Sequence, residues 1–324
     1  MTTMTYVQAI NKALKEEMRR DPKTIIFGED VAQHGGIFQA TQGIYDEFGP
    51  ERIRNTPISE TAIAGTAVGA AIGGYRPIAE IMYADFLLVA FTEIFHVAAK
   101  YRYTMGPQFK IPMVIRTAMG SSFGAGAEHS NCNESLFMHA PGLKIVTPST
   151  PADAYGLLKA AIRDNNPVLF YEHKQLYKVK GEVPDNEDFI IDIGKADIKR
   201  EGKDVTIIAN ALMVKRSLEA AEELEKEGIS AEVLDLRTMA PLDKETIYNS
   251  AAKTHRVITV EESNLTAGWG AEVAALIQED LYDELDAPIV RVASLDVPLP
   301  YNINLEKLVI PDKDNIIKAI KSLF

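Results

Sequence analysis

Among 324 residues there is one cysteine, one tryptophan and no apolar run near the roughly 20 residues that a membrane-spanning helix needs. The single Cys132 cannot form an internal disulfide. The start MTTMTYVQAI has neither the basic segment nor the apolar centre of a secretory signal, so a reducing cytoplasm is expected. The richest apolar stretch, Ile63 to Ile72, is short and built of small residues. Positive charge is also scarce. Lys and Arg total 34 against 46 Asp and Glu, a net charge of -12, and no basic cluster exceeds a pair or so. Such a field repels phosphate backbones and anionic lipid heads, which disfavours nucleic acid and membrane as partners. No G-x-G-x-x-G opens a helix after a strand, and there is no P-loop and no serine nucleophile elbow, so common nucleotide and hydrolase chemistries are disfavoured. No pair of His, Cys or carboxylates has zinc spacing.

What is present is a globular composition, 46% hydrophobic and 25% charged. The length predicts two α/β domains, because one core rarely grows that large. Thr5 followed by Val7, Ile10, Leu14 and Met18 predicts a first amphipathic helix ending before Asp21-Pro22. A buried strand follows at Thr24 to Phe27, with Glu29-Asp30 at its carboxyl end, where open parallel sheets place ligands. The alternation continues with a helix at Thr61 to Gly73, a strand at Pro77 to Met82, a long helix at Asp85 to Tyr101, and β-rich runs at Pro112 to Thr117 and Lys144 to Thr147. Periodicity fails between Tyr177 and Asp197, so the predicted organisation is a domain over 1–180, a linker over 181–200 and a domain over 201–324. The second domain is another strand and helix series, with strands at Val205 to Ala209, Ala231 to Asp235, Val257 to Glu261 and Ile289 to Val292, and helices at Met213 to Glu227, Lys244 to Lys253 and Trp269 to Glu284.

Three features stand out chemically. Gly65, Gly69 and Gly73 share one helix face, and each mid-helix glycine costs about 0.5 to 1 kcal/mol against alanine. That cost implies a compensating close contact, either within the domain or at a subunit interface. Glu60 stands just before this helix in a segment with few other charges. It reads either as a first-turn partner of the helix dipole or as a carboxyl that exchanges a proton with a nitrogen heterocycle. The run Met119 to Ala127 has too little apolar bulk to pack firmly and leads to Glu128-His129. A mobile loop delivering His129 is expected, as a structural residue or as an acid/base group. His96 and His139 read as core, and His173 and His255 as strand-end or surface residues.

Phe27-Gly28-Glu29-Asp30-Val31, Asn55-Thr56-Pro57-Ile58-Ser59-Glu60, Arg76-Pro77-Ile78-Ala79-Glu80, Glu128-His129-Ser130, Pro141 to Ile145, Ala161 to Pro167 and Asp296 to Tyr301 together resemble the decarboxylase beta subunits of 2-oxo acid and acetoin dehydrogenase complexes. The likeness runs from end to end. It implies an α/β, transketolase-like fold with a pyrimidine-binding domain followed by a transketolase C-terminal domain. It also implies an alpha2-beta2 heterotetramer with thiamine diphosphate between the chains, and an alpha subunit that supplies the magnesium and diphosphate site. The Gly-Asp-Gly signature of that site is absent here.

Carried over by position, Glu60 would hydrogen-bond the aminopyrimidine nitrogen, Phe86 would pack on that ring, and Glu29 would join an acidic path between active sites. His129 would assist proton transfers and reductive acylation of a lipoyl group. Backbone oxygens of Met113, Ala161, Ile162, Asp164 and Asn166 would hold a structural potassium. The acidic stretch Glu279, Asp280, Asp283, Glu284 and Asp286 reads either as a solvated helix face or as a patch for the lipoyl-bearing acyltransferase. The segment Glu172 to Tyr177 with Gly181 to Pro184 is similar to acetoin members, and Ser130-Asn131-Cys132 with Asp296 to Tyr301 to pyruvate members. The expected activity is cleavage of pyruvate or acetoin with acetyl transfer to the lipoyl arm. The alternatives are a branched-chain 2-oxo acid enzyme or a non-catalytic binding protein that keeps the fold.

Overall fold

The computed structural model describes residues 1–106, 108–122 and 124–324. The chain divides into two compact units, the first made of Met1–Met119 with Leu136–Ile193 and the second of Gly120–Ser135 with Gly194–Phe324. Among the described residues no helix is long and apolar enough to cross a membrane.

The first unit opens with strand β1 (Thr2–Thr5) and helix α1 (Tyr6–Arg20). Thr5 caps α1 by accepting from the Gln8 N–H while the Gln8 side chain accepts from the Thr5 N–H, a reciprocal box that fixes where the helix starts. Of the predicted stripe, Ile10, Leu14 and Met18 are buried with Ala9 and Ala13 beside them, and Val7 is half-buried. After β2 (Thr24–Gly28) come the short helix α2 (Ile44–Phe48), β3 (Ile53–Asn55), α3 (Glu60–Ile72) and β4 (Arg76–Tyr83).

The predicted long helix from Asp85 to Tyr101 is instead three pieces: a 3-10 turn at Ala84–Leu88, a π-helical stretch at Thr92–Ala98 and α4 (Ala99–Thr104). Wider turns of that kind recur near functional sites, and a two-turn sequence pattern does not separate them from an α-helix. Next are β5 (Val114–Met119), α5 (Glu134–Met138), β6 (Lys144–Val146), α6 (Pro151–Arg163), β7 (Val168–His173) and β8 (Lys180–Val183). Within this unit the sheet order is β6-β7-β5-β4-β2-β3, all parallel, and β1 pairs antiparallel with β8. Strands β5 and β7 are buried at every position, as a parallel sheet covered on both faces requires.

In the second unit β9 (Asp197–Arg200), β10 (Val205–Ala209), α7 (Ala211–Lys226), β11 (Ala231–Asp235), β12 (Thr238–Ala240), α8 (Lys244–Thr254), β13 (Val257–Asn264), α9 (Trp269–Leu281), β14 (Val290–Ser294), α10 (Ile303–Val309) and α11 (Lys313–Lys321) follow in order. Its sheet runs β14-β13-β10-β11-β9, parallel except for β9. The stretch 181–200, expected as a linker, therefore carries two paired strands, β8 in the first unit and β9 in the second.

Candidate active site

The carboxyl ends of β2 and β4 and the start of α3 gather acidic side chains in the first unit. Glu60 is the first residue of α3 and only 8% exposed. Glu29 follows β2, and its Oε1 is buried without a hydrogen-bond partner among the described residues. Burial raises the Glu29 pKa above the ordinary carboxylate value, and the charges of Glu60, Asp30 and Glu80 add to that rise. These carboxyls are thus close enough to feel one another. Gly28 permits the crowding, since a Cβ there would lie 2.7 Å from the Glu80 carbonyl oxygen on the neighbouring strand.

Behind them sits a buried ionic group that sequence reading passed over. Arg116 on β5 donates from Nη1 to Glu80 at 2.6 Å, and from Nε and Nη2 to Glu172 on β7 at 2.7 and 2.9 Å. The Tyr177 hydroxyl donates to Glu172 at 2.9 Å. Burial opposes the guanidinium charge, but Glu172 and Glu80 outweigh it and hold the Arg116 pKa above its usual value. Burial raises Glu172, offset in part by Arg116, and it raises Tyr177 with help from the Glu172 charge. The parallel registers of β4 with β5 and of β5 with β7 bring Glu80 and Glu172 to Arg116, so two strand pairings build the network. The sequence signal was a lone charge inside each of three apolar strands.

Phe86 lies in the 3-10 turn after β4, with its ring edge-on to Tyr83 at 5.7 Å. Tyr83 meets Phe38 at 6.0 Å, and Phe38 meets Tyr177 at 4.8 Å, which links the turn to the ionic network through aromatic contacts. Around the start of α3 the apolar residues Ile58, Leu88 and Val89 are 81%, 49% and 57% exposed. The Thr61 hydroxyl donates to the Val89 carbonyl at 2.9 Å, which holds that rim against α3.

Glu29, Glu60 and Phe86 thus belong to the first unit, and His129 belongs to the second. The 119–127 run, expected to be a mobile loop with little apolar packing, has polar ties on both sides of residue 123, which itself lies outside the described residues. The Ser121 N–H donates to Glu262 at 2.5 Å, the Gly124 N–H to Glu306 at 2.9 Å, and the Tyr301 hydroxyl to Glu128. Backbone amides supply the anchorage that apolar bulk does not. Elsewhere in this unit Glu261 on β13 is fully buried, and that burial raises its pKa to about 7 despite a hydrogen bond from Ser263.

The Gly65, Gly69 and Gly73 face meets little of its own chain, since a Cβ on Gly69 would touch nothing within 4 Å. Of the potassium set, the Arg76 guanidinium donates to the Ile162 and Asp164 carbonyls at 3.0 and 2.9 Å, and Asp164 also takes Lys144 at 2.5 Å. In the acidic stretch Asp280 accepts from Tyr248 at 2.5 Å and Asp286 pairs with Arg256 at 3.0 Å, while Glu279, Asp283 and Glu284 are exposed. His96 and His139, expected in the core, are both exposed, at the surface beside the Phe95 ring. His173 ends β7, as read, but is buried.

Residues 2–180 match the transketolase pyrimidine-binding domain and residues 194–316 the transketolase C-terminal domain. Over its whole length the chain is 49% identical to the 2-oxoisovalerate dehydrogenase subunit beta of Bacillus subtilis, of which it spans 99%. It is 46% identical to the mitochondrial pyruvate dehydrogenase E1 component subunit beta-2 of Oryza sativa, over 98% of this chain and 85% of that one. A solved structure described as a split gene transketolase, an inactive beta4 tetramer, superposes with a TM-score of 0.81 at 28% identity, covering 99% of this chain and 98% of the other. With both domains present in that order and close to half of all positions shared, the chain belongs to the family of 2-oxo acid dehydrogenase E1 beta subunits.

Proposed function

We propose that this chain is one half of a thiamine-diphosphate-dependent dehydrogenase that cleaves pyruvate or acetoin and passes the acetyl group to a lipoyl arm, with an alpha subunit completing each site in an alpha2-beta2 heterotetramer. The observation that carries this reading is the buried Glu60 carboxyl beside an exposed apolar rim. Glu60 and Glu29 are acceptors at the ligand end of a parallel sheet, and the rim Ile58, Leu88 and Val89 presents apolar surface to solvent. That half fits the cofactor. The Glu60 carboxyl, when protonated, would donate a hydrogen bond to its pyrimidine ring nitrogen, and Phe86 would cover the face of the ring.

Bound thiamine diphosphate supplies the nucleophilic carbon and the electron sink. This chain's part is to hold and exchange a proton at the Glu60 carboxyl, to exclude water with Phe86 and its aromatic neighbours, and to bring the His129 imidazole to the acyl transfer. Glu29, raised by burial and by the Glu60 charge, would extend a proton-sharing chain inward. Magnesium and the diphosphate are assigned to the alpha chain, since the Gly-Asp-Gly signature is missing here.

At the carboxyl end of α6 the proposed potassium would have to share the Ala161 carbonyl with the Asp164 N–H and displace the Arg76 guanidinium from the Ile162 and Asp164 carbonyls. Met113, Asp164 and Asn166 would complete its set. Exposed Glu279, Asp283 and Glu284 would offer charge to a basic module of the acyltransferase, and the assembly is proposed to be cytoplasmic. A branched-chain substrate is the second reading, favoured by the 49% identity to a 2-oxoisovalerate subunit.

The test is dye-coupled oxidation of pyruvate, acetoin and 3-methyl-2-oxobutanoate by this chain alone and mixed with the alpha chain of the neighbouring gene, thiamine diphosphate and magnesium. Activity only in the mixture is expected, and the preferred substrate names the enzyme. Full activity of the chain alone would refute the half-site reading.

A further inference from the structure

Nearest to His129, the loop that carries it is fastened by a short segment of the second unit, residues 301–306, while Glu262 holds its start at Ser121. The Gly124 N–H donates to Oε2 of Glu306, which is buried, at 2.9 Å. The Tyr301 hydroxyl donates to the carboxylate of Glu128, the residue immediately before His129. Steric fit supports the same attachment. Gly124 and Gly126 have φ of +75° and +80°, a region that favours glycine. A Cβ on Gly124 would fall 2.2 Å from the Tyr301 carbonyl oxygen, and one on Gly126 would fall 2.1 Å from the Tyr301 ring. The loop backbone therefore lies directly on Tyr301, with both polar ties on either side of that contact.

We propose that Tyr301 and Glu306 are positioning residues that hold the 124–129 backbone in the conformation from which His129 serves acyl transfer to the lipoyl group. This rests on the reading of His129 given above. The Tyr301 hydroxyl fixes where Glu128 points, and Glu306 fixes the turn at Gly124, so the loop is constrained on both sides of its glycines before it reaches His129. Without these ties the loop samples other conformations, and the fraction of enzyme able to accept the lipoyl arm falls by that sampling. Steps that need only the first unit and the alpha chain are left alone.

The experiment uses the assembled alpha and beta enzyme with Tyr301→Phe, Glu306→Ala, Glu306→Gln and His129→Ala. Three quantities are read: dye-coupled substrate oxidation, acylation of a lipoyl domain, and hydrogen exchange of the 124–129 amides. Tyr301→Phe and Glu306→Ala are expected to lower lipoyl acylation about three- to tenfold, the population change one lost hydrogen bond produces. They should also speed exchange in the loop and leave dye-coupled oxidation within about twofold. Glu306→Gln keeps an acceptor for the Gly124 N–H and should restore acylation. Unchanged exchange and acylation in Tyr301→Phe and Glu306→Ala, while His129→Ala impairs acylation, would overturn the positioning role alone. Normal acylation by His129→Ala would remove His129 from the reaction and this proposal with it. Equal losses in the dye and lipoyl assays would mark Tyr301 and Glu306 as general structural residues and also overturn it.

Discussion

Replacing Glu261 with glutamine should change how the protein's stability depends on pH more than it changes stability at low pH. Glu261 is fully buried, with its Oε2 accepting from the Ser263 hydroxyl at 2.5 Å and its Oε1 accepting from the Gly270 N–H at 3.1 Å. The start of α9 wraps closely around it, since a Cβ on Gly268 or Gly270 would lie 2.5 or 2.6 Å from its carboxyl oxygens. Burial, with a further push from Glu134, raises its pKa from 4.5 to about 7.

A folded-state pKa raised in this way means the folded protein holds its proton more tightly than the unfolded chain. The associated stability is fully present below about pH 4.5 and is lost as pH rises through about 7. A tenfold difference in proton affinity is worth about 1.4 kcal/mol, so the loss between pH 5 and pH 8 is about 2.5 kcal/mol. Glutamine keeps the shape. Its amide oxygen can face the Gly270 N–H while its amide group donates to Ser263, and it does not titrate. The gap in unfolding free energy between Glu261→Gln and the parent should therefore move in the variant's favour by about 2.5 kcal/mol from pH 5 to pH 8. Urea unfolding followed by fluorescence of Trp269, the only tryptophan and a buried neighbour of this carboxyl, measures it directly. A gap that stays flat over that range would refute the reasoning.

Two further outcomes follow from the first unit. Glu60→Gln should reduce cofactor-dependent turnover of the assembled enzyme at least about 100-fold while leaving assembly intact, as judged by rates and by sedimentation, because the proton exchange assigned to this carboxyl is lost. Arg116→Ala leaves Glu80 and Glu172 facing each other without their shared cation, and should cost about 3 to 5 kcal/mol in urea unfolding at neutral pH.

The elements that sequence reading located well are those whose signal is local. Helix α1 begins at its Thr5 cap, and β10 and β11 span the same residues as the apolar runs that predicted them. Less legible features depend on partners far along the chain. The loop before His129 looked loose because its anchors, Glu262, Tyr301 and Glu306, lie 141, 173 and 182 residues from the groups they hold. The charges at Glu80, Arg116 and Glu172 were visible as anomalies in apolar strands, but their pairing needed the register of three parallel strands. Glu60 and His129 came from the likeness to a family and not from spacing. Burial of Glu60 and its electrostatic link to Glu29 are what the structure adds.

The chain leaves the first unit after Met119, joins the second through Ser135, and returns at Leu136 before crossing over again at Gly194. Neither unit is thus a contiguous stretch of gene. A fragment beginning at Gly194 would leave behind the segment whose Gly124 amide satisfies the buried Glu306, and a fragment ending at Ile193 would carry that segment away from its support. Swapping C-terminal halves between relatives therefore calls for moving residues 120–135 together with residues 194–324.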